Sequence, residues 1–469
     1  MVLKIPGACF RDLVLSPREP MVLACKNKVI QMTKYPSRSR EESQAHGWAA
    51  VAHAMARQVL VEGKPLDRCL SGFFRLEKKF GSKDRAFLSE ACFAFFRWYG
   101  WIRRCLPGGQ LPGFPDESFR RALAAALHLD GAPAHPVLSL WGGRLGASAP
   151  LPDASFAVKA RWVEGSLGGG PASWKELVPE WFLAEIPAEC PPEELVKILQ
   201  QRPPIWLRIQ RADPAAVLAE LSALGLQPET PLPSLPKAVR LKRSKINLYD
   251  LPPYREGRLE VQDLASQCIG AACLARPGQR WLDLCAGAGG KTLLLADALD
   301  NRGAIVATDK RAWKLLDLKK RARRAGFGNI QPRELKGGKA SSNEATFDGV
   351  LVDAPCSCTG TWRRNPDGRW TAKPGDIAEL VALQAEILGK AAKQVKPGGV
   401  LIYATCSLAR AENQEQVERF LNQHPGFALE DFPHPASGAA TGGVLSILPA
   451  LADNDAMFVA RMKKAAAGK

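Results

Sequence analysis

Long apolar runs are missing from this chain. Nowhere in its 469 residues does a hydrophobic stretch approach the ~18 positions that a membrane-spanning helix needs, which excludes an integral helical membrane protein. No signal-peptide core forms at the start, because Lys4, Pro6, Arg11 and Asp12 interrupt it. Histidine is scarce, with six in all, and the twelve cysteines have no tight repeating spacing. Several cysteines fall inside apolar helix or strand patterns, so a secreted disulfide scaffold gives way to a reduced, cytoplasmic chain. Acids are in deficit, 47 against 64 Lys+Arg, for a net charge of +17. Such an excess points to a polyanionic partner, most often nucleic acid. No lipidation motif or terminal basic amphipathic helix supports a membrane surface instead. Nothing in the pattern marks a large apolar partner face, so a monomer is expected.

What is present organises into several parts, and the expected fold is multidomain. Residues 1–45 read as an irregular extension rich in breakers and charge, with 1–31 an over-extended start or a loose tail. From 46 to 145 the pattern is helical: Leu88, Cys92, Phe95, Tyr99, Ile102 and Leu106 recur at three- and four-residue steps. The aromatic cluster Phe93–Trp101 then belongs to a helix core. Residues 146–190, rich in Gly, Pro and Ser, read as a linker with short helices. A small α/β module is expected over 191–258, with a strand at PPIWLRIQ (203–210), a helix at 215–224 and a strand at 238–241.

After 259 strands and helices alternate. Apolar runs at 280–285, 303–308, 347–352 and 400–405 predict an open, mostly parallel, Rossmann-like sheet covered on both faces. A helix with Leu380, Leu383, Ile387 and Leu388 on one face is expected to stop at Pro397-Gly398-Gly399. Ligands of such sheets sit beyond the carboxyl ends of the strands.

The first of these strands runs into Cys285-Ala286-Gly287-Ala288-Gly289-Gly290-Lys291-Thr292. As a dinucleotide fingerprint it has Thr292 where a third glycine belongs; as a phosphate loop it has Cys285 where the leading glycine belongs. Carboxylates break the tie. Asp309 ends the second strand, Glu334 follows the third and Asp353 ends the fourth. Acids at strand ends suit a nucleoside cofactor without phosphates, and S-adenosylmethionine is one; a triphosphate would be repelled.

Cys356, in DAPCS, closes the fourth strand and Cys406, in TCS, the fifth. Adjacent strands lie ~4.8 Å apart, so neighbouring strands would bring both thiols to one pocket. Metal is not expected: Cys356 and Cys358 make a C-x-C with no second pair, and no histidine is near in sequence. A Cys356–Cys406 disulfide is an alternative. Covalent catalysis fits better. A thiolate adding to carbon 6 of a pyrimidine activates the inert carbon 5 toward a methyl group, and a second group must help the first to leave. Arg363 and Arg364, beside Cys356, are candidates for RNA phosphate contact, as is the basic stretch 310–324. Trp362 and Trp370 serve either base stacking or core packing. A phosphate-loop nucleotidase, and a non-catalytic RNA-binding assembly factor, are the competing functions.

LDLCAGAGGKT (282–292), LVDAPCSCTGTWRRNPDGRW (351–370), YATCSLARAENQEQV (403–417) and VQDLASQ (261–267) resemble the Sun family of RNA cytosine-C5 methyltransferases. RPPIWLRIQR (202–211) is similar to that family's pre-catalytic module, and SKDRAFLSEACFAFFRWYGWI (82–102) to a NusB-like RNA-binding domain. The resemblance implies a methyltransferase catalytic domain over 259–469 that acts on RNA, in all expectation ribosomal. It implies Cys406 as the nucleophile and Cys356 as the aid to product release. Residues Cys285–Lys291 with Asp309, Asp353 and an acid after the third strand, for which Glu334 is the candidate, would hold S-adenosylmethionine. The chain departs from the family with Ala288 where proline is usual and Glu334 where aspartate is usual.

Overall fold

Parallel strands need crossover connections of a dozen residues or more, and the spacing from Arg280 onward supplies them. The computed structural model describes residues 39–132, 135–142, 145, 154–242, 246–335 and 347–466, with three short strands before them. Eight strands form the principal sheet: β1 Arg280–Asp283, β2 Ala304–Asp309, β3 Ile330–Glu334, β4 Phe347–Asp353, β5 Val395–Thr405, β6 Phe427–Leu429, β7 Val444–Ile447 and β8 Met457–Lys464. Their order is β3–β2–β1–β4–β5–β8–β6, with β7 also paired to β8. β3, β2, β1, β4 and β5 run parallel, and β8 returns antiparallel against β5.

Alternate residues of these strands enter opposite cores. Trp281, Leu351, Ile402 and Val459 pack on one face, and Leu282, Val350, Leu401 and Phe458 on the other. Each such side chain contributes about 1.5–3 kcal/mol on burial, which is why the runs read as continuously apolar. The crossover helix Pro374–Gln394 ends three residues before Pro397, and the strand takes up Pro397-Gly398-Gly399.

Ahead of this sheet, Ile205–Ile209, Pro228–Glu229, Ala238–Leu241 and Leu259–Val261 make a four-stranded antiparallel sheet. Its last strand begins at 259, so one strand comes from the far side of the boundary expected at 258. Trp206 and Ala238 share a core with Leu264, Ile269 and Trp281.

Two compact units result: Met1–Leu183 with Val196–Gln201 and Asn365–Thr371, and Ala184–Leu195 with Arg202–Arg364 and Ala372–Lys469. In the first, helices include Arg40–Leu60, Leu66–Leu76, Ser82–Arg97 and Glu117–Leu129. Helix begins at Arg40 because Ser39 and Glu42 close a capping box. Leu3–Lys4, Val22–Cys25 and Lys28–Gln31 form a small sheet within the extension read as irregular; the remainder of 1–38 lies outside the described residues. Phe95, Phe96, Trp98 and Trp101 are buried, as are Leu177 and Phe182 in the stretch read as linker. Residues 365–371 complete this unit: Asp367 accepts from the Leu66 amide at 2.9 Å, and the Trp370 indole N–H donates to the Phe96 carbonyl at 2.7 Å. Among the described residues no helix is long and apolar enough to cross a membrane.

Candidate functional site

The strand order reverses between β1 and β4, and a cavity of about 880 Å³ opens beyond the carboxyl ends of β1, β2, β4 and β5. The turn after β1 forms one wall. Gly287 and Gly289 hold φ of +54° and +87°, where L side chains are strained. A Cβ at Gly289 would also lie 2.0 Å from Leu318 Cδ1. The turn is tied to β2 where the Gly287 amide donates to Asp309 Oδ2 at 2.9 Å. Residues 285–288, 290 and 291 line the cavity with Asp309 and Asp353; Gly289 packs on Leu318 instead.

Electrostatics in this cavity are shaped by burial. Asp283 is buried and pushed up to about 7, chiefly by desolvation, against a 2.6 Å hydrogen bond from Thr292. Its Oδ1 has no hydrogen-bond partner among the described residues. Because the folded value stands above the ordinary 3.8, the stability that Asp283 contributes is complete below about 3.8 and is lost as pH rises toward 7. We expect Asp283→Asn, followed by urea unfolding from pH 4 to 8, to show a shallower decline than the parent chain; equal slopes would refute this origin. Asp353 and Lys291 pair at 2.8 Å. Burial pushes Asp353 up against the pull of Lys291, while Asp353 keeps the buried Lys291 charged. Burial would raise Asp309, but the hydrogen bonds it accepts from Arg311 and Gly287 hold it below the ordinary carboxylate range.

The register of β4 on β5 sets Asp353 opposite Ala404, so Cys356 and Cys406 lie just past one paired row. Their sulfurs stand 3.4 Å apart, and the Cys406 amide donates to Cys356 Sγ at 3.3 Å. Cys406 is held well below the ordinary thiol range by the hydrogen bond from Cys356, aided by Lys291 and Arg364. Cys356 is pushed up by its hydrogen bonds with Cys358 and Cys406 and by burial. The two thiols therefore titrate as a coupled pair in which Cys406 is the more acidic member.

A residue that sequence reasoning missed fixes both turns. Glu412, fully buried, accepts from the Ser357 amide (2.9 Å) and Gln384 Nε2 (2.9 Å) on one oxygen, and from the Ser357 and Ser407 hydroxyls (2.5 Å each) on the other. Ser357 and Ser407 follow the two cysteines directly. The signal was six positions past Cys406, in a stretch that reads as an ordinary polar helix start. Gln262 and Ser266, before the first strand, also line the cavity.

Two expectations need correcting. Glu334 is exposed at the end of β3 and does not line the cavity; Leu335, the next residue, does. Arg363 is buried and paired to Asp453, with a further bond to the Arg202 carbonyl, so it is spent inside the fold. Arg364 faces the cavity, half exposed and paired to Asp455 at 2.7 Å. Arg369, buried among the Leu177 and Leu199 carbonyls, likewise serves structure, and Trp362 is core. In the basic helix Ala312–Arg324, Arg321 and Arg324 bind Glu260, and Arg321 also caps the Ala288 carbonyl.

Residues 272–463 match the family model described as 16S rRNA methyltransferase RsmB/F. Ribosomal RNA small subunit methyltransferase B of Klebsiella pneumoniae is 31% identical over 445 residues, spanning 88% of this chain and 97% of that protein. The chain belongs to the RsmB/F family. A probable small-subunit methyltransferase B of Synechocystis is 35% identical over 301 residues, 61% of this chain and 67% of that protein. The crystal structure of PH0851 superposes with a TM-score of 0.71 at 25% identity, covering 90% of this chain and 99% of that one. NSun6 from Pyrococcus horikoshii shares the fold at a TM-score of 0.54 and 19% identity, covering 61% and 97%.

As an RsmB/F protein the chain is an S-adenosylmethionine-dependent RNA methyltransferase. The residues present fit that cofactor. Bare backbone at Gly287, a carboxylate at the end of β2 and an unpartnered buried oxygen on Asp283 together suit a cationic nucleoside without phosphates.

Proposed function

We propose that this protein methylates carbon 5 of cytosine in small-subunit ribosomal RNA through a covalent enzyme–RNA adduct. The observation that carries this reading is the pair of sulfurs 3.4 Å apart in the cavity, with Cys406 pulled below and Cys356 pushed above the ordinary thiol range. Bound S-adenosylmethionine supplies an electrophilic methyl group. Residues 285–291, Asp309 and Asp353 are the residues to hold it, with the Asp309 carboxylate on the ribose. Cys406 Sγ bonds to carbon 6 of the cytosine, the C5–C6 electron pair moves to carbon 5, and carbon 5 would take the methyl group as the donor's S–CH3 bond breaks and its electron pair stays on the departing thioether sulfur. The carbon-5 proton then leaves, the C6–S bond breaks, and the electron pair returns to Cys406 as thiolate.

Cys356 suits the second half of this cycle. Once Cys406 is bonded to carbon its charge is gone, which removes one of the causes, beside the hydrogen bond with Cys358 and burial, that push Cys356 up. Cys356, once its own proton has passed to solvent, can then accept the carbon-5 proton whose loss expels Cys406. Lys291, held charged by Asp353, and Arg364 stabilise the thiolate before attack and after release. The target base must be unpaired or flipped to reach sulfurs at the sheet edge, and Arg364 is the candidate for phosphate contact beside it. A cytoplasmic monomer is the expected form. The division that goes with this function is a helical RNA-binding region at 46–145, a linker at 146–190, a small α/β module at 191–258 and a catalytic domain at 259–469.

Bisulfite sequencing of total RNA tests the substrate. One small-subunit cytosine should be protected when the gene is present and converted in its absence; identical conversion in both would refute the proposal.

A further inference from the structure

Cys358 is exposed, and its backbone adopts φ +58°, a left-handed conformation uncommon outside glycine and asparagine. It caps the short 3-10 turn Thr359–Thr361. That turn folds the chain back so that Cys358 Sγ stands 3.3 Å from the Cys356 carbonyl. The sulfurs of Cys356, Cys358 and Cys406 consequently lie within 4.8 Å of one another. The sequence contains only a C-x-C here; strand pairing brings the third sulfur from 48 residues away in the chain.

We propose that Cys356, Cys358 and Cys406 form a three-thiolate site for a soft d10 metal ion such as Zn2+, and that occupation of the site blocks methyl transfer. Zinc–sulfur bonds are about 2.3 Å, so three sulfurs around one ion stand roughly 3.8–4.0 Å apart. The sulfur separations, from 3.4 Å up to the 4.8 Å limit, bracket that span. Rotation about side-chain bonds closes the difference. Three thiolates and a divalent cation carry one net negative charge, and Lys291 and Arg364 both act on this cluster as compensating cations. Exposed Cys358 provides the entry path, and sulfur-only donors favour soft ions over magnesium or calcium. The ion binds through Cys406 and Cys356 and so removes both from the reaction. The binding claim stands on sulfur positions alone; the inhibition claim rests on the function proposed above.

The full chain, reduced with a phosphine and titrated with Cd2+ or Zn2+, tests it. One ion per chain, with a sulfur-to-cadmium charge-transfer band, is expected. Cys358→Ser should weaken binding by at least about tenfold and shift zinc inhibition of RNA methylation to correspondingly higher concentration, while methylation without zinc persists. Absence of stoichiometric binding, or binding that Cys358→Ser leaves unaltered, would overturn the site. The cadmium band needs no catalysis. A chain that binds the ion with all three thiols yet methylates no cytosine when free of metal would therefore sink the functional reading and uphold the site.

Discussion

Cys406→Ala is expected to abolish methyl transfer to RNA, whereas Cys356→Ala is expected to leave the protein bonded to its substrate. The two sulfurs are 3.4 Å apart, yet their surroundings push their acidities in opposite directions, and this asymmetry separates their roles. Without Cys406 nothing attacks carbon 6, and the reaction falls to background, a loss of at least about 10⁴-fold. Without Cys356 attack and methylation proceed, but the proton that must leave carbon 5 has no acceptor, and the C6–S bond persists. Denaturing electrophoresis of protein incubated with labelled RNA and S-adenosylmethionine reads the difference directly. A band that survives denaturation should appear with Cys356→Ala and not with Cys406→Ala or the double variant. Equal, adduct-free loss in both single variants would overturn the assignment.

The second large effect is expected at Glu412, which touches neither sulfur. Its two oxygens hold the residues that follow both cysteines, so it acts as a positioning residue. Glu412→Ala leaves the Ser357 and Ser407 hydroxyls and the Gln384 amide without their acceptor in a buried place. The cost is on the order of 4 kcal/mol, allowing for non-additivity among bonds that each contribute about 1.5–3. A fall in Tm on the order of 4 °C follows for a chain of this size. Because both turns loosen, kcat should fall roughly 100-fold while KM for S-adenosylmethionine stays close to the parent value. Glu412→Gln restores one acceptor oxygen and should recover part of both losses. A Tm unchanged by Glu412→Ala would remove the carboxylate from this role, and rescue of kcat by Glu412→Gln separates positioning from global destabilisation.

The strand ends were legible before any coordinates because their physics is local. Continuous apolar runs closed by Asp283, Asp309 and Asp353 can only be buried parallel strands with polar carboxyl ends, and Gly287 and Gly289 mark the turn that backbone sterics require. The thiols were legible as a pair for the same reason, since each ends a strand.

Side-chain destinations were not legible in that way. Arg363 and Arg364 are neighbours in sequence with the same charge, yet one is consumed by Asp453 and the other faces the cavity. Which does which depends on a partner 90 residues distant in the chain. Glu334 is paired in register with Asp309, yet it is exposed while its neighbour Leu335, just past the strand, meets the cavity, and nothing local in the sequence separates the two. Glu412 looks like any acid at a helix start until two turns converge on it.

The sequence by itself determined the parallel sheet, the glycine turn and the cysteine-bearing strand ends, because these follow from burial and backbone freedom within a few residues. Only the tertiary structure decided which charges are spent inside the fold, which carboxylate holds the two turns, and that a third sulfur joins the pair. Those depend on distances between segments far apart in the chain, and pairing across a sheet alone sets such distances.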